Sequence, residues 1–244
     1  MLDFTQDPQP KPFGKRLFNF IVIVLLLLVA PSLLVAANQQ SNIGMQVLLV
    51  VIMFSVYLGI GYVAYRLLKK ATNQPVFHRP NVRDWRHLWY IVGMFFVMIG
   101  LEYGINLIRM ALTGHIDTEN QSAIEALVSH MNITMVAMMI YAIFLAPVVE
   151  EIVFRGLVIN YFFRQSWWWA NILLSGFLFA FPHMGTIPTN LSDLLSYLLY
   201  MSMGMVLAFV YKKSGHLQDN IAIHMLNNAL SMIPLLLQVF WPMT

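Results

Sequence analysis

The sequence predicts an all-α fold, a polytopic bundle of about seven transmembrane helices, and three observations carry that prediction. The 244 residues are 59% hydrophobic and only 10% charged, and a soluble protein of this size rarely has so few charges. Several apolar runs reach about 20 residues, the length that a helix needs to cross the hydrocarbon core. No linker or internal repeat divides the chain, so one membrane domain is expected.

The apolar runs give the positions of the spans. We expect them at 17–37, 44–68, 88–112, 132–163, 167–183, 191–211 and 220–240. The first three belong to an N-terminal transmembrane region, 1–131, and the last four to a C-terminal core, 132–240. The first run follows basic residues, as a signal peptide does. It is too long for a typical signal-peptide apolar region, so we expect it to be a retained span.

The basic residues indicate the orientation. Lysines and arginines cluster in alternate connecting segments, namely 1–16, 69–87, 164–166 and 212–219, whereas 38–43, 113–131 and 184–190 contain none. Positive residues favour the cytoplasmic side, so we expect the N-terminus inside, the C-terminus outside and 69–87 as the main cytoplasmic loop. This placement accounts for the net charge of +3 without a nucleic-acid partner.

Three ionisable residues stand in the segment APVVEEIVFRG of the fourth span, which is otherwise apolar. They are Glu150, Glu151 and Arg155. A charge at the bilayer centre costs at least about 2.5–3.5 kcal/mol. Arg155 follows Glu151 by one helical turn, so the two can neutralise each other. Glu150 points about 100° away and has no such partner in its own helix, which leaves it free for chemistry.

Two later spans carry further polar residues at helical spacing. The segment FAFPHMG has His183 four residues after Phe179, and IAIHMLNNAL has Asn228 four residues after His224. A single histidine in a span is more often a packing residue than a catalytic one. The chain has no cysteine, so disulfides, thiolate metal ligands and nucleophilic thiols are excluded.

Taken together, E-E-x-x-x-R, F-x-x-x-H and H-x-x-x-N on three separate spans resemble the CAAX protease and bacteriocin-processing (Abi) family of intramembrane proteases. The type II CAAX prenyl endopeptidases are its eukaryotic members. The resemblance covers roughly 132–235 and implies that 132–240 is a catalytic core. It implies that Glu150 activates a water molecule and that His224 and Asn228 hold the oxyanion.

The residues themselves are compatible with that chemistry. Peptide hydrolysis needs an activated water and a group that stabilises the developing oxyanion. Glu150 is the best candidate for the general base, and His183 can hold the same water. Glu151 and Arg155 are expected to support the site structurally.

The sequence leaves a metal open. We favour a metal-free glutamate mechanism and no cofactor, but the family was first described as metalloproteases. A zinc site would use His183, His224 and a carboxylate of Glu150 or Glu151, three ligands with one open position. The chain lacks the H-E-x-x-H motif that places two zinc-binding histidines on one helix.

The depths of the two histidines present a difficulty. Simple 20-residue hairpins put His183 near the outer face and His224 near the inner face. Longer tilted helices, or a fifth span that continues past His183, would bring them together, and Pro182 could kink that span.

Two further sets of residues carry weaker expectations. We expect Glu102, in the third span, to pair with neighbouring polar groups rather than to line a cavity. We expect glycines in the second and third spans to allow close helix approach; they are Gly44, Gly59, Gly61, Gly93, Gly100 and Gly104.

The leading functional hypothesis is an intramembrane endopeptidase that acts on a peptide or a membrane-associated protein. Bacteriocin or pheromone precursors, or self-immunity to a bacteriocin, suit a bacterial member of the family. A non-catalytic membrane adaptor or immunity protein that binds a toxin receptor or a sensor kinase is the alternative. A small transporter or proton channel is a third candidate, although the inverted repeats typical of transporters are missing.

Overall fold

The computed structural model describes residues 7–78, 84–116, 118–129, 131–164, 166–184 and 187–240. These residues form helices joined by short turns, and no strand occurs among them. The predicted all-α class is therefore confirmed. All the predicted site residues lie within the described ranges.

The helices follow the predicted spans closely, with one addition. Their bounds are α1 Phe13–Val29, α2 Ser32–Asn38, α3 Ile43–Thr72, α4 Trp85–Thr113, α5 Glu119–Val128, α6 Ile133–Tyr161, α7 Trp168–Ala180, α8 Leu191–Ser214 and α9 Leu217–Phe240. Helix α5 is the addition, because the sequence analysis left 113–131 as an outer loop.

Six helical segments of the described chain are long and apolar enough to cross a membrane. They are Phe13–Asn38, which joins α1 and α2, together with α3, α4, α6, α8 and α9. The chain is therefore a multi-pass membrane protein. The predicted fifth span is shorter than the rest, a 13-residue helix α7 followed by the 3₁₀ turn Phe181–His183. The orientation stays a prediction.

Helix ends are set by capping residues. Side chains of the residue before the helix accept hydrogen bonds from first-turn N–H groups in α3, α4, α5, α6 and α8, through Asn42, Asp84, Thr118, Asn132 and Asn190. Asparagine, aspartate and threonine are preferred there because they satisfy donors that have no intrahelical partner. At the other end, α4 and α8 stop at Gly114 and Gly215 in the left-handed conformation, at φ of 74° in each, where glycine carries no Cβ penalty.

Helix α6 forms the centre of the bundle. Every residue from Glu151 to Tyr161 is buried, and the neighbours of this half of the helix are α1, α3, α7, α8 and α9. Helix α4 lies at the periphery against α8 and α9, and only Met98 and Arg109 are fully buried along it. The segment APVVEEIVFRG therefore lies in a central helix that is buried from Glu151 onwards.

Close packing of α7 against α8 depends on a pair of glycines. A Cβ on Gly176 would lie 2.7 Å from the backbone oxygen of Met201, and one on Gly204 would lie 2.8 Å from the Cα of Gly176. Small residues at such positions let two backbones approach closely. This contact holds the short helix α7, with His183 at its end, against α8.

The glycine expectation from the sequence was correct at one position and wrong at others. A Cβ on Gly61 would lie 2.9 Å from Val149, so this glycine does permit close approach of α3 to α6. Four of the others, Gly59, Gly93, Gly100 and Gly104, have open space where a Cβ would stand. Gly44 meets only the side chain of its own cap, Asn42. Most of the glycines for which the expectation was wrong thus lie on sides of α3 and α4 that no other helix approaches.

Candidate active site

Two π-helical segments in α6 flank Glu150, and each opens the regular hydrogen-bond ladder of the helix. The first is Tyr141–Leu145, where the N–H of Ala146 donates to Tyr141 O, five residues back. Continuing this register, Ala142 O would need the N–H of Pro147, and proline has none. Asn228 of α9 replaces the missing donor, since its Nδ2 donates to Ala142 O at 2.8 Å.

The second π-helical segment, Glu151–Leu157, contains the rest of the motif. Its carbonyls also receive side-chain donors. Ser175 Oγ donates to Phe154 O at 2.7 Å, and Asn160 Nδ2 donates to Gly156 O at 2.7 Å. Backbone groups at membrane depth must be satisfied within the protein, so these polar side chains allow the irregular helix to exist there. Single π turns are frequent at functional sites.

Glu151 lies at the centre of a buried cluster of polar side chains and contacts each of the others. Its Oε2 lies 3.1 Å from Arg155 Nε, so the predicted ion pair is present. Its Oε1 accepts from His224 Nδ1 at 2.9 Å, and Oε2 also accepts from Asn220 Nδ2 at 3.3 Å. The neutralising partner that the sequence assigned to Glu151 is thus only one of three, and Glu151 also orients His224.

Arg155 and Phe179 pack together at the centre of this cluster. The guanidinium carbon of Arg155 lies 4.2 Å from the centre of the Phe179 ring. This is the arrangement of a cation–π interaction. Arg155 Nη2 also donates to Gly204 O at 3.3 Å. The centre of the Phe179 ring is 4.5 Å from that of His183 and 5.6 Å from that of His224. Phe179 therefore separates and positions the two imidazoles.

Glu150 faces both imidazoles from the other side. Its Oε2 lies 3.9 Å from His183 Nε2 and 3.8 Å from His224 Nε2. Both distances are too long for direct hydrogen bonds. The Glu150 side chain is 14% exposed, whereas that of Glu151 is 0% exposed. The structure thus brings Glu150, His183 and His224 together, with Glu150 the accessible carboxylate.

Hydrogen bonds at Nδ1 fix the tautomers of the two histidines. His183 Nδ1 lies 2.8 Å from the carbonyl oxygen of Phe179. Because a carbonyl oxygen can only accept a hydrogen bond, Nδ1 carries the proton. His224 Nδ1 is held in the same way by the Glu151 carboxylate. In their neutral forms, both imidazoles therefore present an Nε2 lone pair towards Glu150 Oε2. A hydrogen-bond donor placed between them would therefore have three acceptors within reach, namely Glu150 Oε2 and the two Nε2 atoms.

A cavity of about 400 Å³ adjoins this constellation. Its wall includes His183, His224 and Asn228. Glu150 does not line it directly, but both imidazoles that face Glu150 do. Residues of α5, from Asn120 to Glu125, and its cap Thr118 also line the cavity, so the unpredicted helix forms part of the wall.

Glu102 also lines the cavity, contrary to the expectation from the sequence. It interacts with Asn227, so part of the expected pairing is present. Its Oε2 is nevertheless buried without a hydrogen-bond partner. The side chain therefore presents an incompletely satisfied carboxylate oxygen beside the cavity.

The structure contradicts one of the two ways in which the histidines were expected to meet. The fifth span does not continue past His183; the α-helix ends at Ala180 and the chain turns through Phe181–His183. Pro182 stands in that turn, where its missing N–H removes a helical hydrogen bond. The end of the short helix α7 thus places His183 Nε2 3.9 Å from Glu150 Oε2.

Sequence reasoning missed four residues that contribute to the site. Asn220 binds Glu151, and the ring of Tyr200 stacks on His183 at 4.8 Å. Tyr57 and Tyr141 pack edge to face at 5.0 Å in the neighbourhood of Glu150. Asn220 could have been found, because it precedes His224 by four residues, as Asn228 follows it by four. The tyrosines carry no sequence signal, since tyrosine in an apolar span resembles a packing residue.

The residue types of Glu150, His183 and His224 suit either a water molecule or a zinc ion. Metal-bound histidines usually donate their second N–H to a carbonyl or carboxylate, as both histidines do here. Donor atoms around tetrahedral zinc lie about 3.3 Å apart, and the carboxylate-to-imidazole distances of 3.9 and 3.8 Å are somewhat wider. The three donor atoms do not all lie within 4.8 Å of one another, so a zinc ion would require these side chains to move closer together, whereas a water molecule would not.

Comparison with known proteins supports the family assignment. Residues 132–230 match the family model described as type II CAAX prenyl endopeptidase Rce1-like. A protein of Bacillus subtilis (strain 168) named "Putative membrane peptidase YdiL" is 24% identical over 146 residues, which is 60% of this chain and 55% of that protein. The chain thus spans about half the length of this curated relative. No solved structure matches the chain significantly.

The matched residues 132–230 contain all three motifs, and the resemblance predicted from those motifs is confirmed. The similarity to the CAAX protease and bacteriocin-processing family therefore lies in this segment, which is less than half of the chain.

Proposed function

We propose that this chain, assigned to that family, is an intramembrane endopeptidase in which Glu150 activates a water molecule for peptide hydrolysis. The observation that carries the proposal is the position of Glu150 Oε2, 3.9 Å from His183 Nε2 and 3.8 Å from His224 Nε2. When polar atoms stand this far apart, a bridging water is the natural occupant. A water there would donate to Glu150 and to one imidazole at the same time.

The proposed reaction is balanced by the groups present. Glu150 takes a proton from the water, and the resulting hydroxide attacks the carbonyl carbon of the peptide. The tetrahedral intermediate collapses, the C–N bond breaks, and the proton held by Glu150 passes to the leaving amine. The products are a carboxylic acid and an amine, and Glu150 returns to its starting state.

Oxyanion stabilisation is assigned to His224 and Asn228. Asn228 has one Nδ2 hydrogen bonded to Ala142 O, which fixes the amide and leaves a second hydrogen for a ligand. His224 donates from Nε2 only as an imidazolium. In that form the site holds two negative carboxylates, Glu150 and Glu151, and two positive groups, Arg155 and His224. Their formal charges sum to zero, which is favourable in a site of low dielectric.

A zinc-dependent mechanism is the alternative within the same site. Glu150, His183 and His224 would hold the ion, and Glu151 and Phe179 O would orient the imidazoles. Zinc would supply Lewis-acid chemistry and lower the pKa of a bound water. The chelator arm of the experiment below separates this mechanism from the metal-free one.

The cavity suggests the substrate class. Its described lining residues include the carboxylates Glu102 and Glu125 and neither lysine nor arginine. A cavity lined by one sign of charge attracts the opposite sign. We therefore expect peptide substrates with a basic residue near the scissile bond. Processing of bacteriocin or pheromone precursors and bacteriocin self-immunity stay predictions from the family resemblance.

The test compares wild type with Glu150→Ala and Glu150→Gln in liposomes, using a fluorogenic peptide library enriched in basic residues. Glu119→Gln is the matched control, since Glu119 is an exposed acid on α5 that does not line the cavity. We expect the control to cleave normally and both Glu150 variants to lose at least about 10²-fold in rate. A chelator should have no effect; loss on chelation with recovery on zinc addition would favour the metal-dependent mechanism.

The non-catalytic adaptor remains the competing function and predicts a different result. If wild type cleaves nothing, and Glu150→Gln retains the full cellular phenotype at equal membrane expression, the peptidase proposal fails. The adaptor hypothesis would then take its place.

A further inference from the structure

A second group of histidines lies at the start of α4 and α9, away from the site described above. The donor atoms of His87, His216 and Asp219 all lie within 4.8 Å of one another. His87 Nε2 is 3.1 Å from Asp219 Oδ2, and His216 Nδ1 is 3.7 Å from the same oxygen. On the predicted topology, this group faces the cytoplasm.

Local structure brings these three residues together in a defined way. Asp84 caps α4 by accepting from the N–H of His87, which fixes His87 in the first turn. Gly215 ends α8 in the left-handed conformation, so the chain turns sharply at His216 before α9 begins at Leu217. Asp219 then lies three residues after His216, about one turn along.

Asp219 is a buried carboxylate whose nearest charged neighbours are the imidazoles of His87 and His216. Asp219 is only 6% exposed, and its Oδ2 has no hydrogen-bond donor in the structure, although His87 Nε2 is near. A buried carboxylate is costly unless it is paired or bound to a metal. Two imidazole nitrogens directed at this one unsatisfied oxygen are the donor set of a cation site.

A third imidazole stands beside the group. The main chain of His78 is held by Gln218, whose Oε1 accepts from His78 N and whose Nε2 donates to His78 O at 2.7 Å. The centres of the His78 and His216 rings are 5.0 Å apart. The segment after α3 is thereby fixed beside the turn between α8 and α9, with His78 next to His216 but outside the group of three donors.

We propose that His87, His216 and Asp219 form a structural site for a divalent first-row transition metal ion of the zinc type. Two imidazoles and one carboxylate are a typical zinc donor set, with water in the fourth position. Donors around tetrahedral zinc lie about 3.3 Å apart, and the observed 3.1 and 3.7 Å bracket that distance. The ion would join the start of α4 to the start of α9.

Such an ion would also act on the helix that carries His224. Asp219 precedes His224 by five residues, about 7.5 Å along the helix axis. Asn220, the next residue, binds Glu151 and also donates to Leu207 O of α8. Fixing the first turn of α9 therefore fixes the element that orients His224, without a ligand of this site entering the chemistry.

The test measures zinc bound per chain after the purified, chelator-treated protein is re-equilibrated with zinc and freed of excess ion. His216→Ala and Asp219→Asn are compared with His115→Ala, an exposed histidine far along the sequence from the group. All three are made in a Glu150→Gln background, so that a zinc ion at the other site does not enter the difference. We expect His216→Ala and Asp219→Asn each to bind one zinc ion per chain fewer than the Glu150→Gln protein. We expect His115→Ala to bind as much zinc as that protein.

Equal zinc content in His216→Ala, Asp219→Asn and the His115→Ala control would overturn the proposal. If the variants do not fold, the decision rests on the Glu150→Gln protein itself. Cobalt added to it should give the intense visible absorption of a four-coordinate site, and zinc should raise the Tm. Absence of both effects would equally overturn the proposal. Neither readout depends on peptidase activity, so failure here leaves the proposed function standing.

Discussion

Replacing Arg155 by methionine tests whether Glu151 is a buried charge that depends on its partner. Arg155 is 0% exposed and lies 3.1 Å from Glu151, and its guanidinium also stacks on Phe179. Removing one partner of a buried pair leaves an uncompensated charge, at a cost of about 3–5 kcal/mol. We expect Arg155→Met to lower the free energy of unfolding by that amount.

A double-mutant cycle can separate the free-energy cost of the unpaired Glu151 charge from the cost of lost packing. Glu151→Gln with Arg155→Met removes both charges and keeps the side-chain volumes similar, and such replacements are often neutral in stability. The double variant should therefore recover at least about 2 kcal/mol relative to Arg155→Met alone. It should remain inactive, because His224 has lost the carboxylate that orients it.

The assay is denaturant unfolding in mixed micelles, followed by tryptophan fluorescence. Arg66→Met is the control, since Arg66 is an exposed cation that contacts Tyr62 on its own helix. The control should change stability by no more than about 0.5 kcal/mol. If the double variant were as unstable as the sum of its single variants, the charge argument would be refuted and only packing would remain.

Three further predictions follow from individual contacts. Asn228→Ala leaves Ala142 O without its donor, so the free energy of unfolding should fall by about 1–3 kcal/mol and peptide cleavage by about 10²–10³-fold; unchanged turnover would remove Asn228 from the oxyanion site. Gly176→Ala overpacks α7 against α8 and should destabilise by about 1–3 kcal/mol in the same unfolding assay, whereas Gly93→Ala, which adds a methyl in open space, should not. Glu102→Gln should raise KM for basic peptides by about tenfold, or about 1.4 kcal/mol, with kcat little changed; an equal effect on neutral peptides would contradict the charge-based selectivity.

The course of the helices follows largely from local physics. Apolar runs of span length gave α3, α4, α6, α8 and α9 to within a few residues, because a helix in lipid must be both long and apolar. Helix α5 was missed, since half of its 10 residues are polar and the segment resembles a loop. The short α7 was overestimated, because the sequence extends apolar character beyond Ala180 while Pro182 ends the α-helix.

The sequence by itself determined the membrane class, the spacing of the motifs, and the pairing of Glu151 with Arg155, because these depend on residues within one helix. Only the tertiary structure decided which side chains meet across helices. His224 contacts both glutamates, His183 arrives on a helix that stops short, and His87 and His216 converge on Asp219 from separate helix ends. Contacts of this kind depend on helix tilt, on close approach at Gly176 and Gly204, and on π-helical turns, and none of these leaves a periodic trace in a single sequence.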